Sequence, residues 1–248
     1  MIQGMYMAAN GMVAVEERQA VIANNIANAS THGFKRQLAV QKGFYGAFMG
    51  SKMPPPNIAP GGGVQMSETF SNFSGGALFK TGGALDIALQ GEGFFQVEMG
   101  GTNLFTRNGQ FSVSPSGILS TPEGHAVLDT GGNPIDVSGG IIEIDQTGTV
   151  KVNGEARAQL AIIKFDDPHA FKRVGANIFQ ASEDALANSA QATDSVVASQ
   201  SLETSNVEVP TEMINMMMAL RAYGANQKVI TAIDETMSRM IDQVGAPS

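Results

Sequence analysis

The two ends of this chain carry apolar stripes that step alternately by four and three residues. From Met1 the steps land on Met5, Ala8, Met12, Val15, Gln19, Ile22, Ile26 and Ala29, and eight of these nine positions are apolar. From Val209 they land on Met213, Met216, Leu220, Tyr223, Gln227, Ile230, Asp234, Met237, Ile241 and Val244, with nine of eleven apolar. A 4-3 spacing sustained this far predicts coiled-coil helices, because it keeps one seam of side chains turned toward a partner helix. Gln19 and Gln227 interrupt the seams at core-type positions, where a polar residue can fix register. Pro210 suits a first helical turn, and Gly245-Ala246-Pro247 suits a stop. The predicted helices cover 1–34 and 207–248, and they pair with each other only if the termini come together.

Both helices also carry apolar residues off the seam: Met7 and Val21 in the first, Ile214, Met217, Val229, Ile233 and Met240 in the second. A helix that is apolar on more than one face is buried on more than one face. Two kinds of neighbour fit, the middle of the same chain or other subunits, whether copies or relatives. Methionine favours the second, since its flexible thioether adapts to non-identical neighbours.

The middle is a different material. All 13 phenylalanines lie between Phe34 and Phe179, whereas ten of the 14 methionines lie in the two ends; 23 of the 29 glycines fall between Gly43 and Gly154. Short apolar or alternating runs separated by turn residues, such as Gly93–Met99, Thr149–Val152 and Gln159–Phe165, read as strands. Asn108-Gly109, Ser116-Gly117, Thr147-Gly148 and Asn153-Gly154 read as turns between them. The predicted class is therefore α+β: paired N- and C-terminal helices flanking an all-β domain at 78–183. An extended arm at 35–77, with Pro54-Pro55-Pro56 and Gly61-Gly62-Gly63, precedes that domain, and a linker at 184–206 follows it.

Composition excludes several functions. The net charge is −8 with basic residues scattered, which argues against a nucleic-acid groove. No apolar run approaches the roughly 18 residues of a membrane-spanning helix. Cysteine is absent, so disulfides, thiolate metal sites and cysteine nucleophiles are excluded. Arg18 is the first basic residue, so no secretory leader is expected. Charged residues are only 15%, against about 25% in ordinary soluble proteins, which suits surfaces covered by other protein. Asp166-Asp167-Pro168-His169 and His125 read as loop and turn residues, and His32 as the end of a helix. Gly91-Glu92-Gly93 precedes a strand and so cannot hold a phosphate at a helix N-terminus. With no nucleophile elbow, P-loop or dinucleotide fingerprint, no enzyme activity, cofactor or metal is expected.

The stretch Ala23-Asn24-Asn25-Ile26-Ala27-Asn28-Ala29-Ser30-Thr31-His32-Gly33-Phe34-Lys35-Arg36 closely resembles the N-terminal signature of the bacterial flagellar rod and hook proteins. Leu202-Glu203-Thr204-Ser205-Asn206-Val207, followed by Met213-Ile214, Arg221-Ala222-Tyr223 and Val229-Ile230, resembles the second signature. Leu85–Phe95 and Phe105–Gly109 resemble the family's middle motifs, so the likeness spans the chain. It implies a structural subunit of the periplasmic rod of the flagellar basal body, a hollow helical shaft that transmits torque. It also implies export without a cleaved leader by the flagellar type III apparatus, and partners that are other rod subunits and further copies. Asn24, Asn25, Ile26, Asn28, Met213, Met217, Leu220, Tyr223, Ile230, Ile233 and Met237 are the expected packing residues, with the asparagine amides satisfying one another or nearby backbone. Phe44 and Phe48 have the form of an export element, as do Phe34 and Leu38. Glu17–Val21 and Lys228–Glu235 look more like the proximal than the distal rod subunit. An adhesin-type module flanked by coiled-coil helices is the alternative from another class.

Overall fold

The computed structural model describes residues 2–43, 64–165, 171–175, 177–192 and 195–244. Its helices are α1 (Ile2–Ala27), α2 (Glu183–Ala187) and α3 (Val209–Val244). The chain divides into a helical unit of Met1–Ala27, Gln37–Ser71 and Glu208–Ser248, and a β unit of Asn28–Arg36 and Asn72–Val207.

In the helical unit α1 and α3 run antiparallel, and three pairs set their register. A Cβ at Gly4 would lie 3.5 Å from Ile233 Cδ1, and one at Gly11 would lie 3.0 Å from the Asn226 amide nitrogen. Further along, Asn25 Nδ2 donates to Glu212 Oε2 at 3.3 Å. Steps of seven and then fourteen along α1 meet the same steps taken backwards along α3, a heptad match. Buried and half-buried positions follow it: Gly4, Ala8, Gly11, Val15, Arg18, Ile22 and Asn25 on α1, then Glu212, Met216, Ala219, Tyr223, Asn226, Ile230, Ile233 and Met237 on α3.

Half of the predicted seam is therefore displaced by one residue. Ala8, Val15, Ile22, Met216, Tyr223, Ile230 and Met237 lie on it, whereas Met5, Met213, Leu220, Gln227 and Asp234 are exposed. The helices approach through Gly4, Gly11 and Ala219, and a small residue permits a closer axis than methionine or leucine does. The larger neighbours turn outward as a result. Gln227, being exposed, does not fix register; Asn25 and Glu212 form a polar contact in the seam.

Strands β1 (Gln37–Gly43) and β2 (Val64–Ser71) pair antiparallel, with a register shift between Val40 and Gln41. Part of the predicted arm is thus a strand pair. Gln41 Nε2 donates to the Ala14 carbonyl at 3.0 Å. Ala14 and Val21, off the seam, are buried.

The β unit is built on β3 (Leu78–Lys80), β4 (Ile87–Gln90), β5 (Phe94–Met99), β6 (Thr102–Thr106), β7 (Ser112–Val113), β8 (Leu119–Ser120) and β9 (Ala126–Val127). After these come β10 (Ile142–Ile144), β11 (Thr149–Val152), β12 (Glu155–Gln159), β13 (Ile162–Phe165), β14 (Phe171–Arg173) and β15 (Ile178–Ala181). The main sheet runs β14-β15-β6-β5-β9-β8-β7, with β13 also on β5, and β10-β11-β12 form a meander. The turn from β11 to β12 places Asn153 and Gly154 at φ of 55° and 86°, the left-handed pair that a tight hairpin requires.

The described residues of the predicted linker, 184–192 and 195–206, are structured. They hold most of α2, then β16 (Ser189–Gln191), β17 (Val196–Ser199) and β18 (Ser201–Glu203). Strand β17 pairs with β4 and β18 with β3, so this stretch closes the domain. Its Ala, Ser, Gln and Thr content hides two fully buried anchors, Val197 and Leu202.

The β unit has two cores. Aliphatic side chains such as Ile87, Val97, Leu119, Val150 and Val197 fill one. The other is aromatic: Phe94, Phe105, Phe165 and Phe179, with Phe73 and Phe171 packed against them. Ring centroids 4.6 to 6.1 Å apart in tilted and edge-to-face geometry match the preferred aromatic arrangement. This cluster takes six of the 13 phenylalanines, and Phe95 and Phe111 join the aliphatic core.

Candidate assembly site

The expected packing residues separate into two groups. Met213, Met217 and Leu220 are more than half exposed at 56, 52 and 56%, and with Ile214 and Met218 they form an apolar face of α3 beside the seam. On α1, Met5, Tyr6, Met7 and Val13 are likewise exposed. Tyr223, Ile230, Ile233 and Met237 instead lie half-buried in the seam, with Ile233 against Gly4 of α1. Phe44 and Phe48 lie outside the described residues, as do Asp166–His169.

Asn25 and Asn28 each have partners outside the asparagine motif. Asn25, buried at the base of the helix pair, treats Gln37 as a strand partner would: Nδ2 donates to the Gln37 carbonyl and Oδ1 accepts the Gln37 N–H, both at 2.8 Å. Asn28 Oδ1 accepts from Thr31 Oγ1 at 3.3 Å. Asn24 is exposed and Ile26 half-buried.

In the β unit the two end motifs meet. Lys35 Nζ lies 2.6 Å from Glu203 Oε1 and donates to the Ser74 carbonyl at 2.9 Å. The same Glu203 oxygen accepts the Gly76 N–H at 2.7 Å, and Arg107 Nη1 stands 3.7 Å from Oε2. Lys35, Glu203 and Arg107 are all buried. Burial pushes the Lys35 ammonium below its ordinary pKa, and Glu203 works against that shift. Arg107 is lowered by the same cause. Around this pair, the Arg36 N–H donates to Asn206 Oδ1 at 2.7 Å and the Gly33 N–H to the Glu203 carbonyl at 2.8 Å. Arg173 Nη2 donates to the Lys35 carbonyl at 2.6 Å while its guanidinium lies 4.6 Å from the Phe34 ring centroid.

Sequence reasoning missed Lys35, Glu203, Arg107 and Glu212. Lys35 and Glu203 each directly follow a large apolar residue, in Gly33-Phe34-Lys35 and Ser201-Leu202-Glu203, which is a local signal of burial. Charges so placed are paired or costly.

His125 sits in a turn with Thr121, and the His32 carbonyl accepts from Asn177 Nδ2 at 2.9 Å. Among the described residues no cluster of three His, Cys, Asp or Glu could hold a metal ion. No described helix is long and apolar enough to cross a membrane.

An outward apolar helix face, in a chain whose β unit is closed by its own end motifs, describes a subunit that assembles. Three family profiles match: "Flagella basal body rod protein" over residues 5–35, "Flagellar hook protein FlgE/F/G D1 domain" over 88–152, and "Flagellar basal body rod FlgEFG protein C-terminal" over 198–243. The chain belongs to the flagellar basal-body rod protein family, whose members are structural and not enzymes. It is 32% identical to the flagellar basal-body rod protein FlgG of Buchnera aphidicola subsp. Baizongia pistaciae, over 97% of this chain and 99% of that one. It is 34% identical to FlgG of Agrobacterium fabrum, over 96 and 97%. FlgF of Caulobacter vibrioides is 28% identical over 99% of both chains. The chain is thus a structural subunit of the basal-body rod, and membership in this family displaces the adhesin-type reading.

Proposed function

We propose that this subunit belongs to the proximal rod and transmits torque from motor to hook, with its helix pair in the inner layer of a hollow periplasmic shaft. The observation that carries this reading is the apolar face of Met213, Ile214, Met217, Met218 and Leu220, which stays exposed although the seam beside it is filled. That face and Asn24 contact neighbouring rod subunits, whereas Tyr223, Ile230, Ile233 and Met237 act through the intramolecular, coiled-coil-like seam. Resemblance at Glu17–Val21 and Lys228–Glu235 supports the proximal position. The chain reaches the rod through the flagellar type III apparatus, and changing Phe44 and Phe48 together to Ala is expected to reduce its secretion.

A proximal subunit meets unlike proteins at its two ends, so it is not self-complementary along the shaft. Purified protein at high concentration is expected to stay monomeric or form small oligomers. Long straight filaments in electron micrographs would overturn the proximal position and favour the distal one.

A further inference from the structure

We propose that the buried charge cluster of Lys35, Glu203 and Arg107 makes closure of the whole β unit conditional on docking of its first nine residues, Asn28–Arg36. The inference rests on packing within that unit and not on the rod reading.

This segment brings to the β unit what the rest of the unit lacks. Its Lys35 supplies the nearer cation to Glu203, at 2.6 Å, against 3.7 Å for Arg107. Phe34, fully buried, supplies the ring beneath Arg173, and the Lys35 carbonyl takes one of that guanidinium's protons in a hydrogen bond. The His32 carbonyl serves Asn177. Gly33, at φ +67°, runs against the chain at 107–108: a Cβ there would lie 2.5 Å from the Asn108 nitrogen and 2.6 Å from the Arg107 carbonyl carbon. The segment's bonds reach Asn72 and Ser74, Arg173 and Asn177, and Glu203 and Asn206, on three separate stretches of chain, with Asn108 in close approach on a fourth.

With the segment withheld, the remaining strands would bury Glu203 with only the more distant Arg107 beside it, and Arg173 without its carbonyl acceptor and with the Phe179 ring alone. Stripping a buried charge of its nearer partner is among the more destabilising changes a domain can suffer. A chain whose N-terminal end is held elsewhere therefore keeps its β unit open. Closure follows only when the first and last segments of the unit meet.

The test uses the full chain in three forms, wild type, Lys35→Met, and Lys35→Met with Glu203→Gln, read by hydrogen exchange with mass spectrometry. Lys35→Met should accelerate exchange roughly a hundred- to several-thousandfold. The acceleration should appear in β5, β6 and β10–β12 as well as at the junction. Glu203→Gln removes the charge that has lost its nearer partner and still accepts from Gly76, while Arg107 keeps its bond to the Gly91 carbonyl, so the paired variant should regain part of the protection. Loosening confined to 28–36, 72–77, β3 and β18, with β5 and β10–β12 protected as in wild type, would reduce the cluster to a local brace and overturn the proposal. A paired variant as open as the single one would overturn it too. If Lys35→Met does not fold at all, the paired variant decides alone: folded supports the latch, unfolded refutes it.

Discussion

Replacing Asn25 by Asp tests the base of the helix pair with almost no change of shape. In the native chain Nδ2 donates to the Gln37 carbonyl at 2.8 Å and to Glu212 Oε2 at 3.3 Å. Aspartate removes both donors and sets a second carboxylate oxygen against Glu212. Two charges 3.3 Å apart at an effective dielectric of 20 repel by about 5 kcal/mol. That is a ceiling, because the pair takes up a proton before the full repulsion develops. Loss of the donor to Gln37 adds its own cost, of order 1 kcal/mol, so a net destabilisation of about 3 kcal/mol at pH 7 is expected. The sign of the pH dependence follows from linkage. In the variant, the folded pKa of the introduced carboxyl group is raised above its unfolded value. Stability is then fully present below the unfolded pKa and lost as pH rises through the folded one. Helices α1 and α3 hold 26 and 36 residues against five in α2, so ellipticity at 222 nm during urea unfolding reports the helical unit. Asn25→Asp should be weak at pH 7, recover toward pH 4, and be rescued at pH 7 by Glu212→Gln. Wild-type stability at pH 7, or a loss that neither acid nor Glu212→Gln relieves, would refute the assignment of Asn25 to this buried network.

Two further perturbations address the β unit. Gly33→Ala places a methyl group against backbone at 107–108 in a left-handed conformation, and should cost about 3 kcal/mol or more in chemical unfolding, whereas Gly124→Ala, with open space around it, should cost only about 1 from its left-handed φ. Glu203→Gln removes the attraction that offsets burial of Lys35, so the folded lysine pKa drops further. A depressed folded value means that stability is greatest above the unfolded lysine pKa and falls as pH drops through the folded one, so the deficit of Glu203→Gln should shrink between pH 7 and 10. Lys35→Met should abolish that recovery.

The sequence was most legible where one period dominated and least where small or polar residues did the packing. Stepping by four and three found both long helices and half of their seam, yet it chose Met5, Met213 and Leu220 because apolarity was the criterion. The helices meet through Gly4, Gly11 and Ala219, whose apolar signal is absent or weaker than that of the adjacent Met5, Met12 and Leu220, and the one-residue offset follows. Turn chemistry identified Asn153-Gly154 but could not reveal that 184–206 returns to complete the domain, since most of its residues are small and polar and only pairing with β3 and β4 makes them strands. The asparagine motif was visible as a motif. Its partner Gln37 was not, because a side chain that imitates a strand edge has no sequence signature. Lys35 and Glu203 are separated by 168 positions, and nothing short of the folded chain brings them together.

The central claim, that the exposed face of α3 is a contact between rod subunits, can be measured directly because the chain contains no cysteine. Met217→Cys and Leu220→Cys each supply a unique thiol on that face. Maleimide should label both rapidly in the purified chain. In isolated flagellar basal bodies both should be protected until the structure is dissociated. Equal labelling in the free chain and the intact basal body would contradict the assignment of this face to assembly.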